Sequence, residues 1–239
     1  MSPRPARSPV LAAICMLAAA YPGSTASAPK FSNEQLHYSV NWPSGLSLGE
    51  SQLHSSRAKA EDGSDRLSLE FTLDAAVPGF QVQDRYKSEA TSGLCSILLD
   101  RKSLHGKKKA EEKTTFDPEK GTAVRETIGG GKSDLKTGSC GKDALAYLYF
   151  LRLELSQGRL PPSQTVYFGA GYQLRVEFAG TQTIKLGDTP VEADRLKASV
   201  KGASTDIDFE VFFLKDAART PALVRVPLSL GMFSMELVR

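Results

Sequence analysis

Histidine, cysteine and tryptophan are scarce in this sequence, and their scarcity narrows the chemistry open to the protein. The 239 residues include three histidines, three cysteines and one tryptophan. His37, His54 and His105 lie far apart and show none of the short spacings typical of zinc ligands. The sequence therefore predicts no metal site and no cofactor, and favours solvent-facing strand positions for the histidines. Zinc held by residues from separate strands is the alternative.

Motifs of catalytic sites are not found in the context that they require. The GxSxG pattern of serine hydrolases occurs at residues 45–49, GLSLG, but it lies at the junction of two predicted strands and not between a strand and a helix. A Ser-His-Asp triad can also be assembled from distant residues, because geometry defines it. The segment IGGGKSD at 128–134 is similar to a phosphate-binding loop, but Glu126 stands where that pattern requires glycine. We interpret the segment as a flexible loop, and we assign no catalytic residue to the chain.

The chain also lacks an excess of one charge. Lysine and arginine number 30 against 27 aspartates and glutamates, which gives a formal net charge of +3. Removal of Arg4 and Arg7 with an N-terminal leader would lower this charge to +1. A nearly neutral protein offers no electrostatic basis for binding nucleic acid, so we expect no nucleic-acid partner.

The N-terminus has the three parts of a secretory signal peptide: a basic start, an apolar segment at 9–20, and small residues after it. Cleavage after Ala26 or after Ala28 fits the pattern of small residues. We therefore predict a signal peptide at 1–26 (or 1–28), followed by a single β-rich domain at 29–239. No later apolar run approaches the roughly 20 residues that cross a bilayer. The sequence predicts an exported protein, periplasmic or secreted, without a transmembrane span.

Two cysteines remain after the leader. Cys95 and Cys140 would meet an oxidising compartment in an exported protein, where a disulfide between them is the simplest outcome. A reactive thiol at the N-terminus of a helix is the alternative.

The segment CGKDALAYLYFLRLEL at 140–155 is the longest helical pattern after the leader. It is apolar on nearly every side and too short to span a bilayer, so it predicts a buried helix at about 142–155. Asp143 is expected in the first turn, with Ser139 or Gly141 near the cap. Arg152 would lie within this apolar helix and needs partners. We consider an anion-binding arginine, a structural ion pair, or a side chain that reaches the rim.

Elsewhere the sequence alternates between apolar and polar residues, as half-buried strands do. Strands are predicted at 36–42, 46–56, 67–73, 80–91, 94–104, 110–116, 122–128, 172–178, 207–213, 224–228 and 233–237. The predicted fold is mainly β: a curved antiparallel sheet or partly open β-barrel packed around one buried helix.

Large aromatic residues are predicted to point to one interior. They are Trp42, Phe71, Tyr147, Phe150, Tyr172, Phe178, Phe209, Phe213 and Phe233. In a closed barrel they would be core, whereas in an incompletely closed sheet some would line a cleft beside the helix. The candidate ligand-binding residues are Trp42, Phe71, Tyr147, Phe150, Arg152, Tyr172, Phe209 and Phe213.

Several short motifs resemble those of the bacterial domain of unknown function 3108 family. Residues 143–152, DALAYLYFLR, are similar to its signature D-x-L-S-x-x-Y-x-L-R, with Ala146 in place of the serine. Residues 38–42, YSVNW, with Gly49-Glu50 resemble its first hairpin. Residues 218–221, ARTP, with Gly231 and Glu236-Leu237 resemble its last two strands. The resemblance implies an exported, β-rich envelope protein without an established activity, and it transfers no catalytic residue.

Three functions are consistent with these observations. The leading hypothesis is a non-enzymatic envelope protein that binds an apolar or amphiphilic ligand such as a lipid, or a partner protein of the envelope, in a cleft between sheet and helix. The alternatives are an envelope hydrolase acting on ester or glycan, and an assembly scaffold without a ligand.

Overall fold

The computed structural model describes residues 31–60, 63–77, 79–228 and 231–238, and these form strands around one helix. The elements are β1 (Glu34–Asn41), β2 (Ser47–Lys59), β3 (Asp65–Val77), β4 (Phe80–Thr91), β5 (Ser96–His105), β6 (Lys108–Asp117), β7 (Thr122–Thr127), β8 (Lys132–Lys136), β9 (Lys142–Asp143), α1 (Ala144–Ser156), β10 (Gln164–Tyr167), β11 (Gly171–Leu186), β12 (Thr189–Lys201), β13 (Asp206–Leu214), β14 (Pro221–Leu228) and β15 (Gly231–Leu237). The predicted signal peptide at 1–26 or 1–28 lies outside the described residues.

All the strands belong to one sheet, in the order β8-β7-β6-β5-β4-β3-β2-β1-β15-β14-β13-β12-β11-β10-β9. Each neighbouring pair is antiparallel except β9 and β10, which are parallel. The sheet therefore consists of two meanders, β1–β8 and β10–β15, that join where β1 pairs with β15. The predicted fold, a curved and mainly antiparallel sheet around a buried helix, is confirmed.

The two ends of the sheet approach each other beside the helix. The Ser96 amide at the start of β5 donates a 2.9 Å hydrogen bond to the Gly141 carbonyl, just before β9. The Tyr167 hydroxyl on β10 donates to the Lys136 carbonyl on β8 at 2.7 Å. The predicted disulfide between Cys95 and Cys140 forms at the same place, with its two Cα atoms 4.7 Å apart. The disulfide and these hydrogen bonds thus connect β9 and β10, at one end of the sheet, to β5 and β8.

The helix α1 occupies the concave side of the sheet and separates two apolar clusters. One cluster, with residues from both meanders, contains Leu69, Tyr149 and Phe212. The other, against β10–β13, contains Tyr147, Leu151 and Phe213. Leu148 and Phe150 are half-buried and pack against both clusters. The helix is buried, as predicted, and it is neither long nor apolar enough to cross a membrane; no other helix occurs in the described residues.

The helix ends differ in detail from the prediction. Asp143 is itself the N-cap, because its carboxylate accepts hydrogen bonds from the amides of Leu145 and Ala146; it does not lie in the first turn. At the other end, Gly158 adopts a positive φ of 71°, a conformation that suits glycine and closes the last turn.

Four strands were not predicted. Residues 132–136, expected in a flexible loop, form β8 and pair with β7 through a hairpin. The strands β9 and β10 contain two and four residues, too few to show a period of two. In β12 the buried positions change phase between Ala193 and Leu196, which hides the alternation.

The phase change in β12 lies opposite an irregularity in β11, between Phe178 and Thr181. Phe178 is predicted to point inward, yet 55% of it is exposed. A bulge interrupts the regular pairing of a strand, and beside this one Phe178, which is expected in the interior, is not buried.

Candidate functional site

A cavity of about 500 Å³ lies between α1 and the strands β10–β13. Its walls are apolar almost throughout, and they include Tyr147, Leu151, Tyr172, Leu196, Phe209 and Phe213. Protein interiors contain few voids much larger than a water molecule. Ligand pockets, in contrast, typically measure about 300–1,000 Å³ and have mainly hydrophobic walls. The cavity thus has the size and the character of a ligand site.

The residues that line the cavity recur at regular intervals along the helix and along the strands. Ala144, Tyr147, Leu148 and Leu151 recur at helical spacing and form the face of α1 that borders the cavity. The opposite wall comes from alternate positions of the strands, which point to one face of the sheet.

One of the residues in the sheet wall of the cavity is small. Ala198 on β12 is paired in register with Val176 on β11 and with Phe209 on β13, and all three line the cavity. A methyl group at this position leaves room that a larger side chain would fill.

A buried lysine, Lys142, lies outside the cavity lining but is the register partner of Val166, which lines it. Lys142 on β9 is only 7% exposed. Its Nζ lies 3.3 Å from Sγ and 3.4 Å from the carbonyl oxygen of Cys140, and 4.5 Å from the centre of the Phe150 ring. No carboxylate pairs with it among the residues that the structure describes. Burial lowers the pKa of the Lys142 ammonium, because removal from water disfavours the charged form.

A second polar group in this region also lacks a partner. The ring of Tyr147 forms part of the cavity wall, and its hydroxyl is buried without a hydrogen bond in the described part of the chain. Burial raises the pKa of Tyr147 to about 12, so the hydroxyl keeps its proton and remains a donor near neutral pH.

Comparison with known proteins identifies the family. A family model described as protein of unknown function (DUF3108) matches residues 37–238. The chain belongs to this family. The suspected resemblance is thereby confirmed, and no curated protein matches the sequence.

The fold of this DUF3108 protein is similar to that of a solved structure. That structure is described as a beta-barrel-like protein of domain of unknown function DUF1849 from Brucella abortus. The two superpose with a TM-score of 0.61 at 10% sequence identity, over 88% of this chain and 97% of the other. At such low identity the likeness concerns the fold alone.

The structure brings together half of the candidate ligand-binding residues. Tyr147, Tyr172, Phe209 and Phe213 line the cavity. The other aromatic candidates lie outside the lining and pack against other rings. The ring centres are 4.9 Å apart for Trp42 and Phe233, which meet edge-on, 5.7 Å for the stacked pair Phe71 and Tyr86, and 6.2 Å for Phe150 and Tyr147.

Arg152 also lies outside the lining, and its guanidinium has a full set of partners. Nη1 and Nη2 donate to the two carboxylate oxygens of Glu34 at 2.7 and 2.6 Å. Nε donates to the carbonyls of Ala218 and Arg219 at 3.0 and 3.2 Å. The Arg152 side chain is fully buried. Of the three interpretations of Arg152, the contacts are those of a structural ion pair.

The histidines remain separate from one another and from the cavity lining. His105 hydrogen-bonds to Asp84 at 3.0 Å, and half of its side chain is exposed. No serine or cysteine hydrogen-bonds to this pair within the described residues, and no three metal-ligating side chains cluster there. The geometry around His105 is that of a hydrogen-bonded pair between a half-exposed histidine and a buried aspartate.

Sequence reasoning did not single out Lys142 or Ala198. The sequence signal for Lys142 is its position: it follows Cys140 by two residues and directly precedes Asp143, the N-cap of an apolar helix. The signal for Ala198 appears only with the strand register, because Val176 and Phe209 are its neighbours in space and not in sequence.

Proposed function

We propose that this DUF3108 protein binds an apolar or amphiphilic ligand with a single hydrocarbon chain in the cavity between α1 and β10–β13. The observation that carries the proposal is the cavity itself, which is about 500 Å³ in volume and has apolar walls. A protein of this size gains stability by filling its interior. A cavity this large with so few polar groups in its walls favours an apolar occupant.

Binding would proceed without a large change in the sheet. The strands on one side of the cavity are held in a continuous hydrogen-bonded ladder from β10 to β13. The disulfide and the Asp143 cap fix the segment from which α1 begins. Because the walls are formed in advance, little conformational entropy is lost when a chain enters.

The proposal is tested by displacement of a fluorescent fatty acid from the purified protein. We expect saturable binding to the wild type. Ala198→Phe puts a ring into the cavity and is expected to weaken binding at least about tenfold, because the displaced chain loses several buried methylene groups at about 0.8 kcal/mol each.

Phe178→Ala is the matched control, since it changes a neighbouring strand at a side chain that is largely exposed. The affinity of this variant for the fatty acid should equal that of the wild type. Thermal unfolding of each variant shows that the fold is retained. Absence of saturable binding to the wild type would refute the proposal and favour a scaffold without a ligand.

We also propose that the protein acts in the bacterial envelope, in the periplasm or after secretion. The leader-like N-terminus and the disulfide between Cys95 and Cys140 support this location, since disulfides persist in oxidising compartments. The intact mass of the protein recovered from the periplasm tests it. We expect the mass of a chain that begins after Ala26 or Ala28; a full-length chain confined to the cytoplasm would contradict export.

A further inference from the structure

Lys142 combines burial with a poor set of partners. An ammonium can donate three hydrogen bonds, yet the acceptors within reach are one carbonyl oxygen at 3.4 Å and one disulfide sulfur at 3.3 Å, the second a weak acceptor. The Phe150 ring adds a cation–π contact. Buried charges are normally paired, as Arg152 is with Glu34 in the same molecule. Lys142 is an exception that needs an explanation.

The lysine is adjacent to two residues that line the cavity near the N-terminus of α1. Lys142 is the register partner of Val166 on β10, and Val166 lines the cavity. Register partners on neighbouring strands have side chains on the same face of a sheet. Ala144, two residues further along, lines the cavity as well, and the Phe150 ring beneath Nζ is next to Tyr147.

The backbone of Lys142 is held on both sides. Cys140 is bonded to Cys95. The Asp143 amide donates to Ser96 Oγ at 2.7 Å, and its carboxylate accepts hydrogen bonds from the hydroxyls of Ser88 and Ser96 at 2.6 and 2.5 Å. A lysine placed between two anchored neighbours is oriented before a ligand arrives, which reduces the entropy lost on binding.

We propose that Lys142 binds the anionic head group of an amphiphile whose single chain occupies the cavity. This inference rests on the proposed function and adds the class of ligand: a long-chain carboxylate or phosphate, and not a neutral hydrocarbon, alcohol or ester. The head group provides the oxygen acceptors that the ammonium lacks. The chain fills the apolar space, and the buried setting strengthens the ion pair relative to one in water.

The test compares head groups on one chain. Decanoate, decyl phosphate and decanol are each titrated against the wild type and against Lys142→Met, by displacement of a neutral fluorescent probe. We expect the wild type to bind at least one of the two anions about tenfold or more tightly than decanol, as a charge-assisted hydrogen bond implies. Which anion is preferred identifies the head group.

In Lys142→Met this preference should disappear while the affinity for decanol stays the same, since methionine keeps an unbranched side chain of similar length. Lys197→Met is the matched control, because Lys197 belongs to β12 but is exposed; it should retain the preference. Lys142→Arg should retain part of it.

The outcomes separate the two proposals. Equal binding of anions and decanol by the wild type, or a preference that survives in Lys142→Met, would overturn the role of Lys142 and leave the apolar site in place. Failure of all three compounds to bind the wild type would overturn both.

Discussion

The Arg152 side chain illustrates how a single residue ties the helix to the sheet. Its guanidinium on α1 joins Glu34 on β1 and the carbonyls of Ala218 and Arg219 before β14. The Tyr149 hydroxyl also donates to Glu34, at 3.1 Å. These contacts connect three separate parts of the chain around one buried charge, so each partner becomes necessary to the others.

Removal of the carboxylate should therefore be costly. Glu34→Ala leaves a fully buried guanidinium without its counter-charge, and such losses amount to about 3–5 kcal/mol of the free energy of unfolding. Urea denaturation measures the change. Glu70→Ala is the control, since its partner Lys87 is largely exposed and exposed pairs contribute about 0–1 kcal/mol. Equal stability of the two variants would contradict the role of the Arg152–Glu34 pair.

The sequence indicates that Arg152 needs partners but not which ones. Glu34 is 118 residues away from it, and the chain contains many other carboxylates. For Lys142 the sequence does not indicate even the burial, because a buried lysine without a carboxylate partner is recognised only when its surroundings are known.

At the scale of elements, α1 begins where Asp143 caps it. The carboxylate accepts hydrogen bonds from the amides of Leu145 and Ala146 and from the hydroxyls of Ser88 and Ser96. Complete burial raises the pKa of the Asp143 carboxyl, and these four hydrogen bonds work in the opposite direction. One side chain thus starts the helix and attaches it to β4 and β5.

Asp143→Ala is expected to lower the free energy of unfolding by about 3 kcal/mol, the sum of a lost cap and buried hydroxyls left unpaired. Asp143→Asn should lose less, because an amide oxygen still accepts from the helix amides. Chemical denaturation gives both values. Asp188→Ala, in the exposed turn between β11 and β12, is the control; if Asp143→Ala were no less stable than this control, the cap would have no special importance.

The elements with long, regular patterns are the ones that sequence predicts. The helix follows from its apolar composition, and β1–β7 follow from their alternation. The strands that were not predicted are very short, as β9 and β10 are, or exposed at nearly every position, as β8 is, or change phase, as β12 does. Their positions depend on neighbouring strands, which supply the hydrogen bonds and the register.

At the scale of the whole molecule, the disulfide connects the turn between β4 and β5 to the segment just before β9. It encloses a sequence separation of 45 residues, and the chain-entropy model assigns such a link about 4 kcal/mol of stabilisation. Cys95→Ser/Cys140→Ser should therefore unfold at a markedly lower urea concentration than the oxidised wild type. Added reductant should lower the stability of the wild type to that of the variant and leave the variant unchanged. If reduction left the free energy of unfolding of the wild type unchanged, the contact between β5 and β9 would be shown to hold without the disulfide.

The fold class is predictable at this scale, but the interior is not. Strand alternation and the family resemblance together predict a curved sheet around a helix. Whether residues such as Val176, Ala198 and Phe209 form a packed core or the wall of a cavity depends on how they are placed side by side in the sheet. Predicting the interior therefore requires the register of three strands. Predicting the strand order also requires the pairing of β1 with β15, which lie at opposite ends of the described chain.

The most direct test of ligand binding in the cavity is a crystal structure of the protein with a fatty acid that carries bromine at the end of its chain. The anomalous signal of bromine locates the chain without a model of the ligand. We predict a bromine peak among Leu196, Phe209 and Phe213, between α1 and β12–β13. A peak confined to the outer surface of the sheet, or no ordered bromine at saturating ligand, would contradict a binding site in the cavity.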